Sequence, residues 1–143
     1  MIVKGVNADA LTVATSSGDI KLDSVSSKDT RISANSGDVS LGDVVMDNID
    51  LKTSSGNITS GSIKAKCING RASSGDVMIR DCDASEINVV TTSGDVSIGI
   101  GSEMKYEYNT KTSSGDVNVP DSVEGADGKC NIETSSGDID VTQ

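Results

Sequence analysis

Apolar and polar residues alternate along this chain in a pattern that repeats over its whole length. The phrase Ser-Gly-Asp, once in the form Ser-Gly-Asn, marks each repeat. Its glycines are Gly18, Gly37, Gly56, Gly75, Gly94, Gly115 and Gly137. They are 19 residues apart at every step except the last two, which span 21 and 22 residues. A period of about 20 residues is typical of a solenoid, in which each repeat buries its apolar side by stacking on the next.

Counting positions from each glycine shows which side chains face inward. Position +2 is aliphatic in every repeat, as Ile20, Val39, Ile58, Val77, Val96, Val117 and Ile139. Position +4 is also aliphatic, apart from Ser60, and positions −7 and −5 are mostly apolar. Position −3 is always Thr or Ala, as expected where a coil narrows at a corner, and position +7 marks a third apolar face. Apolar residues at every second position predict strands with one buried side.

These strands predict an all-β, single-domain parallel β-solenoid of about seven coils, with about 19 residues and three short strands in each coil. Parallel strands of successive coils pair about 4.8 Å apart, so seven coils stacked in chain order make a rod about 34 Å long. Right-handed winding is favoured, because connections between parallel strands are nearly always right-handed. We expect the extra residues of the last two steps to bulge at corners, near Gly99–Met104 and Pro120–Gly128.

The repeat frame also describes the two ends of the chain. It places Met1 at position +2, Val3 at +4 and Val6 at +7 of an earlier, incomplete coil. Open terminal coils expose apolar side chains and strand edges, and no polar cap is visible at either end. We therefore expect residues 1–143 to be one solenoid domain of a longer protein. The same open ends favour end-to-end self-association.

Charge and hydropathy restrict the partners. The net charge of −10 argues against binding to nucleic acid or to anionic lipid, both of which require clustered Lys and Arg. No run of 18 apolar residues is present, so this segment is not expected to insert into a membrane. No signal-peptide pattern precedes the repeats. A complete chain would therefore be cytoplasmic, and a cell-envelope or extracellular location would require a segment outside it.

Position +1 of each repeat is the sharpest candidate for chemistry. It carries a carboxylate at Asp19, Asp38, Asp76, Asp95, Asp116 and Asp138, and Asn57 at the remaining repeat. Carboxylates stacked one coil apart repel by roughly 1 kcal/mol per pair in water. Two interpretations stay open. Each Asp accepts hydrogen bonds from backbone N–H groups of turns in which the glycine has a positive φ, or the column forms a ladder of weak Ca²⁺ sites, since this ion prefers carboxylate oxygens.

Catalytic residues are not evident in the sequence. The chain contains no His, and no nucleophile stands beside a plausible base, so we predict that it is not an enzyme. A carbohydrate-active β-helix enzyme remains a further alternative. It would require a groove with Asp and Lys or Arg on one face, whereas Arg31, Arg71 and Arg80 form no cluster in the repeat frame and the short turns leave no long loops to build a cleft.

Three cysteines match no metal or redox spacing. Cys82 and Cys130 fall on inward positions and are expected to act as small apolar residues. Cys67 falls on an outward position, where we expect an exposed and potentially reactive thiol, with a plain surface thiol favoured over a redox centre.

The phrase Thr-Ser-Ser-Gly-Asp-Ile/Val, at Thr15–Ile20, Thr112–Val117 and Thr134–Ile139, resembles the bacterial adhesin-like family of β-solenoid domains of unknown function. The resemblance covers nearly the whole chain. It implies a non-enzymatic structural or interaction module of the bacterial cell envelope, often attached to a membrane segment or a short N-terminal domain. It also implies a protein or glycan partner at the cell surface, and it supplies no catalytic, cofactor or binding residues.

Overall fold

Short strands joined by Gly-Asp turns make up nearly all of residues 1–101 and 103–143, which the computed structural model describes. No helix occurs in these residues. The strands are β1 (Ile2–Lys4), β2 (Asn7–Ser17), β3 (Ile20–Asp23), β4 (Val25–Ser36), β5 (Val39–Ser55), β6 (Ile58–Ser74), β7 (Val77–Ser93), β8 (Val96–Ile100), β9 (Tyr106–Ser114), β10 (Val117–Asn118), β11 (Gly128–Ser136) and β12 (Ile139–Thr142). Every strand pair is parallel.

The parallel solenoid predicted from the repeat is confirmed. Between β5 and β6, for example, pairing occurs in three runs, 39–41, 43–45 and 48–53, each with a residue 19 positions later in the chain. The gaps between these runs are the corners of the coil. The three runs correspond to the three predicted strands, although the extended backbone continues round two corners, so β5, β6 and β7 are each a single strand of 17 residues.

Small and β-branched side chains fill the interior. Val39 and Val77, at position +2, are 0% and 1% exposed, as the alternation predicts. The chain has no Phe or Trp, so the core consists of stacked Val, Ile and Leu side chains with Thr or Ala at the narrow corner. Ser60, at position +4, is also buried, and its hydroxyl has no hydrogen-bond partner among the described residues.

The stacking order differs from the expectation of chain order. Strands β11 and β12, the last in the sequence, lie between two earlier layers: β11 pairs with β7 and β9, and β12 pairs with β8 and β10. The coil of residues 106–118, which we call the end coil, is therefore the outermost layer. The coil of residues 128–142, the inserted coil, separates it from the coil that contains Gly94. The prediction that each coil stacks on its successor is wrong for these last coils.

The apolar content of the two coils explains this order. The inserted coil presents Cys130, Ile132, Ile139 and Val141 to the interior, and all four are buried. The end coil places Tyr108, Thr110, Val117 and Val119 at the equivalent positions; Val117 is 43% exposed and the other three are only half-buried. Burying the more apolar coil on both sides removes more apolar surface from water, because the gain scales with the area buried.

The extra residues of the last two steps lie where the sequence predicts irregular structure. Residues 119–127 belong to no strand, and neither do the described residues of 101–105, although Ser102, within the predicted Gly99–Met104 bulge, lies outside the described residues. The connection from β8 to β9 crosses two layers instead of one, because the inserted coil lies between them. The connection from β10 to β11 runs back by one layer, in the opposite direction. Both connections therefore require more residues than a normal corner.

Residues 119–127 also cover part of the open end. The N–H of Val123 donates to the carbonyl oxygen of Tyr106 at 3.0 Å, and the N–H of Tyr108 donates to Ser122 Oγ at 2.9 Å. The expectation of an end without a cap is therefore wrong for the start of β9. Within residues 1–101 and 103–143, no strand pairs with the rest of the outer edge of β9 or with that of β10.

Candidate functional site

The Asp column lies along one corner of the solenoid, and all six carboxylates are exposed. The Oδ1 of every residue in the column, Asn57 included and the last residue Asp116 excepted, accepts a hydrogen bond of 2.8–3.0 Å from the backbone N–H of the +1 residue in the next layer. In spatial order the residues are Asp19, Asp38, Asn57, Asp76, Asp95, Asp138 and Asp116. The sequence predicted such bonds to turn N–H groups, and the structure shows that they connect one coil to the next. Each bond places a backbone dipole beside a carboxylate, which offsets part of the repulsion along the column.

The turn glycines are required for two reasons. Their φ angles lie between +113° and +148°, a region that only glycine adopts without strain. A Cβ on Gly75 would also lie 2.1 Å from the carbonyl oxygen of Gly56 in the layer below. Gly18, in the first complete coil, has the positive φ but no atom within 4 Å of a Cβ. The predicted turn-forming role of these glycines agrees with this geometry.

The described residues do not form a metal site of several converging ligands. They contain no group of three or more His, Cys, Asp or Glu side chains arranged to hold an ion. One oxygen of every carboxylate except the last, Asp116, is occupied by the N–H of the next layer. The Ca²⁺ ladder stays a prediction that depends on the second oxygen of each Asp.

A second candidate site is the outward side of the face built by β2, β4, β5, β6, β7, β11 and β9. We call its positions −8, −6 and −4 the amide face. In spatial order, position −6 is Thr12, Arg31, Asp50, Asn69, Asn88, Asn131 and Asn109. Asn88 Nδ2 donates to Asn69 Oδ1 at 3.2 Å, and Asn131 Nδ2 donates to Asn88 Oδ1 at 2.8 Å. The repeat frame contains this run of asparagines, but the sequence reading did not identify it.

Grooves occur on the amide face despite the absence of long loops. A groove of about 510 Å³ crosses the first coils and is lined by Asp29, Arg31, Asn48 and Asp50, among others. This groove is a depression of the face itself, half open to solvent, and it is not a cleft built by long loops, so the expectation drawn from the short turns stays a prediction. A smaller groove of about 180 Å³ lies at the other end of the same face, beside Asn131.

The amide face is electrically balanced in a strongly acidic molecule. Basic and acidic side chains are equally numerous on it: Arg31, Lys52, Arg71, Lys111 and Lys129 against Asp29, Asp50, Glu86, Glu107 and Glu133. The chain as a whole carries a net charge of −10, so the excess of negative charge lies elsewhere, including the Asp column. A neutral face rich in amide and guanidinium donors suits a hydrogen-bonding partner better than a highly charged one.

The cysteines differ from one another in burial. Cys82 and Cys130 are buried as predicted, and burial raises the pKa of both thiols to about 12. Cys67 is half-buried, and burial, with the nearby Glu86 carboxylate, raises the pKa of its thiol, while a hydrogen bond from Asn69 acts in the opposite direction. The expectation of a fully exposed Cys67 is therefore wrong. The raised pKa reduces the thiolate fraction, in keeping with the plain thiol that the sequence analysis favours over a redox centre.

Repeats of about 19 residues, in-register parallel pairing and Gly-Asp turns define this chain as a β-solenoid repeat domain. It belongs to the Toastrack DUF4097 family of domains of unknown function, whose family model matches residues 1–142. No curated protein and no solved structure matches the chain. Family membership confirms the resemblance to a domain of unknown function, and the adhesin-like role stays a prediction. Among the described residues, no helix has the length and apolar character needed to span a bilayer.

Proposed function

We propose that this domain is a non-catalytic interaction module of a bacterial cell envelope, with an adhesin-like role, and that it binds its partner through the amide face. The balanced charge and amide ladder of that face carry the proposal. A partner with hydroxyl or amide groups, a glycan or a protein, would find both donors and acceptors there. The stacked coils hold these groups at a fixed spacing of about 4.8 Å, so the surface is ordered before binding.

Removing positive charge from one face tests the proposal. In the amide-face variant, Arg31→Gln, Lys52→Gln and Arg71→Gln replace three exposed side chains. We expect its binding to cell-envelope fragments of the bacterium that encodes the protein, measured by co-sedimentation, to fall by about tenfold or more. The wild-type domain is the reference.

The matched control changes the same charge on the other faces. Lys21→Gln, Lys64→Gln and Arg80→Gln also replace three exposed cations, and none of the six residues forms a salt bridge among those found in the described chain. We expect this control to bind like the wild type. Equal losses in both variants would mean that net charge decides binding, and no loss in either would exclude the amide face.

A second candidate function, a carbohydrate-active enzyme, is favoured by one observation. Arg31, Asp29 and Asp50 all line the larger groove, and these are the residue types that such an enzyme requires. An arginine can bind the carboxylate of an acidic sugar, and a carboxylate can accept a proton. However, the side chains of all three residues are exposed, so nothing on this face excludes water from them.

Incubation with uronate-containing polysaccharides separates the two functions. The non-catalytic proposal expects no new reducing ends over many hours, at any pH from 5 to 9. Release of reducing ends by the wild type, abolished by both Asp29→Asn and Asp50→Asn, would establish the enzyme instead.

A further inference from the structure

The inserted coil, residues 128–142, occupies a slot whose walls belong to earlier parts of the chain. One wall is β7 and β8, and the other is the end coil with β9 and β10. The two walls share no strand pairing among the described residues, because the inserted coil lies between them. On one face β11 pairs with β7 and β9, and on another β12 pairs with β8 and β10. The slot is therefore one coil wide and open to a single additional layer.

A side chain holds the walls together across this slot. Tyr106 extends from the end coil past the inserted coil, and its hydroxyl donates a hydrogen bond to the carbonyl oxygen of Ala84 in the other wall. Tyr106 is 1% exposed. The inserted coil admits the tyrosine ring because Gly128, paired with Tyr106, has no side chain: a Cβ there would lie 2.6 Å from the ring. The contact sets the wall separation at one coil without using any atom of the inserted coil.

Within residues 1–143, the inserted coil is joined covalently to the preceding coils through residues 119–127. This connection makes few hydrogen bonds, among them those of Val123 to Tyr106 and of Gly125 N–H to Glu107 Oε2 at 3.3 Å. The ladder bonds that hold the inserted coil are made to the walls, such as that of Asp138 N–H to Asp95 Oδ1 at 2.9 Å. These bonds would be identical if the coil came from another copy of the chain.

We propose that the inserted coil is exchanged between copies of this chain, so that residues 128–142 of one copy fill the slot of another. Exchange of an identical element retains every contact and changes only the path of the connection, which is why it is a low-cost route to assembly. The partner is a second copy, and intermolecular filling competes with intramolecular filling in proportion to protein concentration. The inference does not depend on the proposed function, since it uses neither the amide face nor its ligand.

Two single-cysteine variants of the full chain test the exchange. Asn109, in the end coil, and Asn131, in the inserted coil, are in-register neighbours on the outer surface. Parallel neighbours about 4.8 Å apart fall within the Cα separations that a disulfide bridges. Chains carrying Asn109→Cys are mixed with chains carrying Asn131→Cys, each with Cys67→Ser. The mixture is unfolded, refolded at increasing protein concentration and mildly oxidised.

A covalent dimer specific to the mixture is the expected result, and its fraction should rise with the protein concentration during refolding. The control mixture combines Lys21→Cys with Ser40→Cys, which are in-register neighbours in two coils that are stacked in chain order. That mixture, and each variant alone, should give only background dimer. A chain carrying both Asn109→Cys and Asn131→Cys, refolded when dilute, shows through its intramolecular disulfide that the pair can form. If this bond forms and the mixture never exceeds the control, exchange does not occur and the proposal is wrong.

Discussion

The hydroxyl of Tyr106 donates its hydrogen bond to the carbonyl oxygen of Ala84, two layers away in the stack. The intervening layer is the inserted coil, and Gly128 is the residue that leaves room for the ring. This contact ties the end coil to the body of the solenoid although the two share no ladder. The φ of Gly128 is not in the left-handed region, so its backbone conformation does not require glycine. Glycine is required there because the Tyr106 ring leaves no room for a Cβ.

Substituting Gly128 should therefore destabilise the fold. In Gly128→Ala the new methyl group lies 2.6 Å from Tyr106 Cδ1 and 2.9 Å from the carbonyl oxygen of Lys105, so the ring or the backbone must move. We expect a loss of about 1–3 kcal/mol in the free energy of unfolding, as for other overpacked sites. Urea denaturation monitored by circular dichroism measures it.

Gly61→Ala is the matched control, since a Cβ at Gly61 meets no atom closer than 3.7 Å. It should change stability by no more than about 0.5 kcal/mol. The loss in Gly128→Ala should also shrink when Tyr106 is replaced by Ala, because the two closest contacts of the new methyl group are with the ring. Equal losses with and without the ring would show that the ring does not cause the destabilisation.

Replacing a turn glycine by Ala should destabilise the fold more where the layer below lies close to the new Cβ. Gly75→Ala and Gly18→Ala both place Ala at a positive φ, which costs about 1–3 kcal/mol. Only Gly75→Ala adds a Cβ 2.1 Å from the Gly56 carbonyl oxygen, an atom fixed by the stack. We expect Gly75→Ala to lower the free energy of unfolding by at least about 2 kcal/mol more than Gly18→Ala. Similar losses in the two variants would mean that φ strain alone accounts for the requirement for glycine at these turns.

Local periodicity was sufficient to predict the coil, but it was not sufficient to predict the order of coils. Side chains at +2 such as Val39 and Val77 alternate with polar residues, and this pattern fixes which side is buried whatever the neighbour. The repeated phrase gives every layer the same backbone hydrogen bonds, so any layer can stack on any other. Asp95 therefore accepts its bond from Asp138 as readily as it would from Asp116, the next +1 residue in the sequence. The order then depends on summed apolar burial and on the Tyr106 contact, which are properties of the assembled stack.

The candidate site was partly visible in the same frame. The Asp column and its turn glycines follow from single positions of the repeat. The groove beside Arg31 depends on how side chains of neighbouring columns are spaced in three dimensions, and no single column encodes that spacing. The half-burial of Cys67, which lies at an outward position, depends in the same way on its neighbours.

The buried thiols should make stability fall at alkaline pH. Folding raises the pKa of Cys82 and Cys130 from the ordinary value of 9.0 to about 12. Above pH 9 the unfolded chain loses these protons while the folded chain keeps them, so the stabilisation is complete below pH 9 and is lost as the pH rises towards 12. Each thiol contributes a slope of up to about 1.4 kcal/mol per pH unit in that window.

Urea denaturation at pH 8, 9, 10 and 11 measures this slope. A chain carrying Cys82→Ala and Cys130→Ala should be less stable at pH 8, because it loses buried volume, but its stability should decline less between pH 9 and 11. Parallel pH profiles for the variant and the wild type would show that other groups cause the decline.

Replacing Asp76 distinguishes a structural ladder from an ion-binding one. Asn57 already acts as an acceptor in the ladder, since its Oδ1 receives the N–H of Asp76 at 2.9 Å. Asp76→Asn should therefore keep the bond to Asp95 N–H and reduce like-charge repulsion, with a stability change within about 0.5 kcal/mol. Asp76→Ala loses the acceptor and should cost about 0.5–1.5 kcal/mol.

Melting the same chains in millimolar Ca²⁺ and in chelator completes the comparison. For a structural ladder we expect equal melting temperatures in the two conditions, in the wild type and in Asp76→Asn alike. Ca²⁺ sites would behave differently, because an ion that binds only the folded state raises the melting temperature with its concentration. A rise in the wild type that disappears in a chain carrying Asp38→Asn and Asp76→Asn would establish the Ca²⁺ ladder, since those two carboxylates flank Asn57 and their loss leaves three consecutive layers without a charged ligand.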